Sequence, residues 1–141
     1  MSFPRRYFTI SGGSGDLTAA PVAGTTTAGT AIQTANIEPG SLSCLFTVLA
    51  ETNTLTLTGK FQVSDDSSTW YDLAGDAQNP ANVVIATGTA GADTAVTRVL
   101  PVPPSALSWK WVRAAVVNGV ATGASGDTYA FSFRCTRYSG F

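Results

Sequence analysis

Histidine is absent from the 141-residue sequence, and charged residues are few. Without histidine the chain cannot build a Ser-His-Asp or Cys-His catalytic arrangement, nor a zinc site that uses imidazole. Charged residues make up only 12% of the chain, against about 25% in an average soluble protein. A surface poor in charge suits a chain that packs against copies of itself or against a larger assembly.

Several partner classes are excluded by what else is missing. The formal net charge is −1, so the chain lacks the basic surface by which proteins bind nucleic acid. No apolar run approaches the roughly 20 residues that span a bilayer. The N-terminus has no apolar stretch of the kind that follows the basic residues of a secretory signal. We therefore expect a protein made in the cytoplasm, with neither nucleic acid nor membrane as a partner.

Cysteine is scarce as well, with Cys44 and Cys135 alone in apolar, strand-like runs. Two thiols are too few for a structural zinc site. Free cysteine is among the most often buried residue types, so we predict two small core residues. A disulfide is the alternative, if the two cysteines face each other across two sheets.

The first 28 residues differ from the rest of the chain. After an aromatic start they are rich in Gly, Ser, Thr and Ala without periodicity, which is typical of a flexible or extended segment. We predict an N-terminal arm over residues 1–28 and a β-sandwich domain over residues 29–141. A disordered tail is one interpretation. The other is an arm that orders on a neighbouring subunit and docks through Phe3, Arg5, Arg6, Tyr7 and Phe8.

The rest of the chain is predicted to be all-β, because short alternating or apolar runs are separated by turn signals. About eight strands at this spacing indicate a β-sandwich, in particular a jelly roll. Three prolines between residues 101 and 104 predict a crossover between sheets. The predicted strands cover residues 30–37, 42–49, 54–64, 70–73, 81–87, 95–100, 108–117 and 128–138.

The clearest strand, residues 54–64, is followed by the acidic break DDSS. Asp and Ser favour turns because their side chains bond nearby backbone groups. The break lacks the ligand spacing of a calcium loop, so we predict a hairpin turn, with Trp70 packing back into the core. No pair of carboxylates suggests glycoside hydrolysis. We predict no catalytic residue, no metal site and no cofactor.

Two later strands carry the largest apolar side chains. Phe131, Phe133 and Cys135 fall on one side of their strand, which predicts a core face. The strand that follows Trp109 is apolar on both sides and needs cover on both. Trp109 and Trp111 are therefore predicted interface residues. A sugar-binding platform that also includes Trp70 and Tyr71 is the alternative.

The segment FQVSDDSSTWYDL, followed by WKWVRAAV and then TYAFSFRC, resembles small structural proteins of tailed bacteriophages. In those proteins a strand ending in a hairpin precedes a (W/Y)VR strand on a jelly-roll scaffold. The resemblance covers residues 33–138 and leaves the predicted arm outside it. It suggests a head decoration, or cement, protein, a family that has no catalytic residues to transfer.

The resemblance implies a virion structural protein on the exterior of a capsid. Its partners would be the major capsid protein and copies of itself, with a trimer favoured over a dimer. It would bridge neighbouring capsomers, and its arm and tryptophans would provide contact area. A carbohydrate- or receptor-binding module of a phage tail or a secreted enzyme is the alternative. Position in the tail or connector, and the identity of the capsid partner, are left open.

Overall fold

The computed structural model describes residues 5–16, 26–50, 56–74, 83–87, 94–118 and 128–138. No helix in these ranges is long and apolar enough to cross a membrane. A short 3-10 helix, Pro104–Ser108, precedes the strand that begins at Trp111. The strands in these ranges are β1 (Arg5–Asp16), β2 (Thr26–Ala28), β3 (Ile32–Gln33), β4 (Ser43–Ala50), β5 (Thr56–Ser64), β6 (Tyr71–Asp72), β7 (Val83–Thr87), β8 (Thr94–Pro101), β9 (Trp111–Asn118) and β10 (Thr128–Tyr138).

The strands form two antiparallel sheets. The first sheet has the order β1-β10-β4-β8. In the second sheet β5 and β9 pair side by side, β2 and β3 both pair with β9, and β6 and β7 both pair with β5. Since each strand has only two edges, β2 and β3 share one edge of β9, and β6 and β7 share one edge of β5. The described strands therefore occupy eight strand positions.

One rule describes how these eight positions pair. Counted along the chain, the first pairs with the eighth, the second with the seventh, the third with the sixth and the fourth with the fifth. The chain is thus a long double-stranded ribbon rolled around a core, with the hairpin between β5 and β6 at its closed end. That topology is a jelly roll. The predicted fold class, an all-β sandwich of about eight strands, is confirmed.

The core lies between the two sheets and is filled from alternating strand positions. Phe46 and Phe133 of the first sheet have no exposed surface. The ring of Phe61, from the second sheet, lies 5.9 Å from that of Phe46 and 6.4 Å from that of Phe133, measured between centroids. Phe131 meets Phe46 edge to face at 5.2 Å, an arrangement that aromatic pairs prefer. The rest of the buried cluster is Ile32, Ile37, Leu42, Cys44, Val63, Val102, Ala106, Val112, Ala114, Val116 and Cys135.

The predicted faces of the last two strands agree with this core. Phe131, Phe133 and Cys135 are buried, and Arg134 on the other face of β10 is exposed. In β9 the inward residues Val112, Ala114 and Val116 are buried, as is Ala115 on the opposite face. The second face of β9 is therefore partly covered within the chain itself.

Both cysteines are buried free thiols, which confirms the prediction that they are small core residues. Burial raises the pKa of the Cys44 thiol to about 12. It also raises the pKa of the Cys135 thiol. Because the thiolate is the reactive form of cysteine, both side chains are chemically quiet.

The N-terminal segment contributes a strand to the sandwich. Along β1 the chain pairs with β10, from Arg5 opposite Tyr138 to Asp16 opposite Thr128, with a register shift between Ser11 and Gly13. An extended N-terminal segment is thus present, and its pairing partner is the same chain. The division of the chain at residue 28 stays a prediction.

The register also shows which strand ends lie together. Gln33 pairs with Trp111 and Trp111 pairs with Ser64, so β3, β9 and β5 reach one end of the second sheet at these residues. The β5–β6 turn and the connection that contains the 3-10 helix extend from that same end. Residues far apart in sequence therefore meet there.

Replacing Phe133 with Ala is expected to destabilise the domain by about 3–5 kcal/mol, because it removes a fully buried ring and leaves a cavity. Urea unfolding followed by tryptophan fluorescence measures the change. The control is Val99→Ala, since Val99 is 62% exposed and its truncation should cost no more than about 0.5 kcal/mol. Equal losses in the two variants would contradict this assignment of the core.

Candidate functional site

The DDSS break is a hydrogen-bonded turn between β5 and β6. The Ser64 hydroxyl accepts hydrogen bonds from the backbone N–H groups of Asp66 and Ser67, at 3.2 and 2.9 Å. It donates to Asp66 Oδ1 at 2.9 Å, and the same Oδ1 accepts from the N–H groups of Ser68 and Thr69 at 2.8 and 2.7 Å. The predicted turn is confirmed. In the described ranges no cluster of three or more His, Cys, Asp or Glu side chains could hold a metal ion.

These hydrogen bonds favour the ionised form of Asp66. The N–H groups of Thr69 and Ser68, followed by the Ser64 hydroxyl, hold the pKa of its carboxyl well below the usual range. Ser67 has a positive φ of 61°, a conformation that costs a non-glycine residue energy. The carboxylate therefore organises a turn that includes an unfavourable backbone geometry.

Trp70 lies on the outer face of the second sheet, so the prediction that it packs in the core is wrong. The Arg113 guanidinium lies 4.1 Å from the centroid of the Trp70 ring, and its Nε donates to Gln62 Oε1 at 2.8 Å. Arg113 and Gln62 are register partners that alternate with the core residues of their strands. Trp70 does pack back on the sheet, and its partner there is the guanidinium of Arg113 in a cation–π contact.

The polar groups beside Trp70 bind one another. Asp72 accepts from Gln62 Nε2 at 2.9 Å and forms an ion pair with Lys60 Nζ at 3.0 Å. Both contacts lower the pKa of the Asp72 carboxyl, and the hydrogen bond from Gln62 has the larger effect. The Asp72 side chain is 63% exposed, so the ion pair adds little stability. This face has its hydrogen-bonding groups engaged within the chain.

Three other aromatic side chains come together at the end of the second sheet where the turn lies. Tyr71 is 53% exposed, and its ring centroid is 5.6 Å from that of Trp109. Trp109 packs with one part of its surface against the buried core. Trp111 begins β9 and is half-buried.

Two of these aromatic residues, Trp109 and Trp111, border an open cleft with a volume of about 670 Å³. We call it the aromatic cleft; its walls include Gln33, Asp65, Leu107, Trp109, Lys110 and Trp111. A smaller hollow of about 280 Å³ adjoins it, shares Asp65 and Trp109, and reaches Tyr71. Trp109 therefore presents surface to both hollows.

Backbone contacts hold the walls of the aromatic cleft in place. The Lys110 N–H donates to Asp65 Oδ1 at 3.2 Å, which ties the β5–β6 turn to the segment before β9. The Thr34 N–H donates to the Lys110 carbonyl at 3.0 Å, and the Thr34 hydroxyl donates to the Trp109 carbonyl. The three chain segments thus form one connected surface.

A second surface is the outer side of the first sheet, which we call the flat face. Residues that pair across neighbouring strands lie side by side on this face. Val99 of β8 is opposite Leu45 of β4, which is opposite Ser132 of β10. Val99 is 62% exposed and Leu45 is half-buried. The outward residues on β4, β8 and β10 include Ser43, Leu45, Thr47, Thr97, Val99, Pro101, Ala130, Ser132 and Arg134. Arg134 is the one charged residue of that set.

The structure separates the predicted interface residues. Trp109 and Trp111 meet in the aromatic cleft, whereas Arg5, Arg6, Tyr7 and Phe8 form the start of β1 on the first sheet. Phe3 lies outside the described residues. An interface role for these residues stays a prediction.

Two features of these surfaces are absent from the sequence predictions. Gln33 and Asp65 were not expected beside Trp109, because only the pairing of distant strands brings them together. Val99 is not singled out by the sequence, because the charged Arg98 before it and the apolar Leu100 after it break the alternation of the strand.

Solved structures with a similar fold come from infectious bursal disease virus. The structure of the Gx strain matches with a TM-score of 0.54 and 14% identity, over 96% of this chain and 33% of that one. The T13 viral particle matches with a TM-score of 0.52 and 16% identity, over 95% of this chain and 31% of that one. The VP2 subviral particle matches with a TM-score of 0.50 and 15% identity, over 95% of this chain and 33% of that one.

This chain therefore spans about one third of the length of the viral chains it matches. At such low identity the similarity shows a shared fold, in agreement with the jelly-roll topology. No family model matches the chain, and no curated protein matches it either.

The Asp66 carboxyl is expected to titrate well below the roughly 3.9 of an unperturbed aspartate, and NMR measurement of its side-chain carbon against pH tests this. Its pKa is lowered in the folded state. Its contribution to stability is therefore complete above about pH 4 and is lost as pH falls through the folded pKa. Replacing Ser64 with Ala should raise the titration midpoint, because it removes a hydroxyl donor.

The matched control is Ser68→Ala, which keeps the backbone N–H that bonds Asp66 and should leave the midpoint in place. A normal midpoint in the unmodified chain would contradict the hydrogen-bonded turn. Equal shifts in both serine variants would contradict the part assigned to Ser64.

Proposed function

We propose that this chain is a non-enzymatic structural protein of a virus particle, which binds the outer surface of a phage capsid. There it stabilises the shell by bridging neighbouring capsomers. The observation that carries the proposal is the flat face, where the outward residues named above on β4, β8 and β10 include one charged residue, Arg134, and an exposed valine on the edge strand β8.

The composition of the flat face suits contact with another protein. The centres of protein interfaces are depleted in charge, because burying an unpaired charge is costly. Apart from Arg134, the outward residues named above have small hydroxyl or apolar side chains. The hydroxyls of Thr47 and Thr97 lie 3.4 Å apart. Small hydroxyl groups can remain hydrogen-bonded when covered. A protein surface can therefore cover this face at little cost in desolvation.

The edge strand β8 disfavours another kind of association, in which a strand of a second chain pairs with it. In the described sheet β8 is an edge strand, and exposed edges invite pairing with strands of other chains. Arg98 occupies an inward position in register, opposite the buried Phe46, yet it is exposed. Pro101 ends the strand and has no N–H to donate. An inward-register charge and a proline both discourage strand addition, which favours docking through the face.

The fold and the composition support a place in a virus particle. The jelly roll is shared with chains from infectious bursal disease virus structures. The resemblance to phage decoration proteins rests on the β5–β6 hairpin, the β9 strand and the β10 strand. Low overall charge suits a chain that is held by area and shape. The absence of histidine supports the non-enzymatic assignment.

A position on the outside of a virus particle determines which partners are proposed. The principal partner would be the major capsid protein, met on the capsid exterior after synthesis in the host cytoplasm. The resemblance to decoration proteins favours a homo-trimer over a dimer. Linked subunits gain avidity without new contacts. With a net charge of −1, nucleic acid is an unsuitable partner.

The test is the amount of protein that binds to purified particles that lack it, measured by sedimentation and densitometry against the major shell protein. The unmodified chain should saturate at a fixed ratio to that protein. Val99→Glu should weaken binding by about tenfold or more, because it places an uncompensated charge in the contact.

The matched control is Tyr71→Glu, which adds the same charge at an exposed residue of the second sheet and should preserve binding. Both variants should remain folded by circular dichroism, since both positions are exposed. Absence of the chain from native particles, or unchanged binding of Val99→Glu, would overturn the proposal.

A further inference from the structure

The aromatic cleft has the size and shape of a small-molecule site. Its volume of about 670 Å³ lies within the roughly 300–1,000 Å³ that is typical of ligand pockets. It is formed by β3, the β5–β6 turn and the segment before β9, all at one end of the second sheet. A subunit held on a particle by the flat face of the first sheet would leave this cleft uncovered.

The aromatic rings differ in whether they are available to a ligand. One face of Trp70 is occupied by the Arg113 guanidinium at 4.1 Å, and Trp70 is not part of the cleft wall. Trp109 lines both hollows, and Tyr71 beside it is 53% exposed. Their rings are inclined by 41°, so together they form a bent apolar surface rather than a closed stack.

Polar side chains lie beside these rings. Asp65 is exposed and uses Oδ1 to accept the Lys110 N–H, and the described residues provide no partner for its other oxygen. The exposed Gln33 side chain also lines the cleft, and its amide has no hydrogen-bond partner among the described residues. One carboxylate oxygen and one amide thus provide acceptors and donors next to an apolar surface.

The balance of charge around the cleft decides between classes of ligand. Lys110 is the one cationic residue in its wall, and Asp65 faces the same space. Asp66 lines the adjoining hollow and stays ionised because its pKa is lowered. An anionic ligand would meet two carboxylates and one ammonium group, so the charge around the cleft disfavours anionic ligands.

We propose that the aromatic cleft and the adjoining hollow together bind a neutral carbohydrate, with the apolar face of a pyranose ring against Trp109, which lines both, and Tyr71, which lines the hollow. Its hydroxyl groups would donate to Asp65 and exchange hydrogen bonds with Gln33. A sugar ring combines one apolar face with an edge of hydroxyls, which matches this juxtaposition of rings and polar groups. This activity goes beyond attachment to a capsid and does not depend on it.

The test uses the purified full chain on a printed array of neutral, sialylated and sulfated oligosaccharides. The neutral glycan with the strongest signal is then titrated in solution against tryptophan fluorescence, to which Trp109 should respond. Tyr71→Ala should weaken binding by about tenfold, since it removes a stacking ring. Asp65→Asn should also weaken binding, because it replaces an acceptor by a donor while keeping the size of the side chain.

Tyr71→Phe is the matched control, because it keeps the ring and should retain most of the affinity. Val99→Glu should bind glycan normally even if it no longer binds particles, so the two proposals can fail separately. Binding of no array glycan, binding of sialylated or sulfated glycans alone, or full affinity in Tyr71→Ala would overturn the carbohydrate site.

Discussion

The packing of phenylalanine rings between the two sheets is the interaction on which the rest of the structure depends. Phe46, Phe131 and Phe133 come from the first sheet and Phe61 from the second, with centroid separations between 5.2 and 6.4 Å. Because strand residues alternate, fixing these rings inward fixes which neighbours point outward. The charge-poor flat face and the polar cluster around Arg113 are both consequences of that choice.

Much of the fold could be predicted from the sequence because its signals are local. Alternation in residues 54–64 and around Phe131 and Phe133 depends only on neighbours along the chain, and so does the preference of Asp66 and Ser64 for a turn. Trp70 was different. It precedes a strand of only two residues, too short for alternation to define a face, and its partner Arg113 comes from a distant strand.

The two surfaces were harder to predict, for separate physical reasons. The aromatic cleft exists because β9 pairs with both β3 and β5, so Gln33, Asp65 and Trp111 meet only once the register is known. The flat face was hidden by Arg98. A charge in an inward position breaks the alternation of β8, and sequence alone does not show that an edge strand allows that side chain to reach solvent.

The nesting of strand pairs also determines the order in which the ribbon can close. The β5–β6 hairpin joins residues close in sequence, whereas the β1–β10 pair joins segments near opposite ends of the chain. Closing a loop costs more entropy as the loop lengthens, so we expect folding to start at the Ser64–Asp66 turn and to add β1 last. Such a non-local topology folds slowly for its size. Until β1 docks, β10 has an open edge, and newly made chains are then most prone to exchange strands with one another.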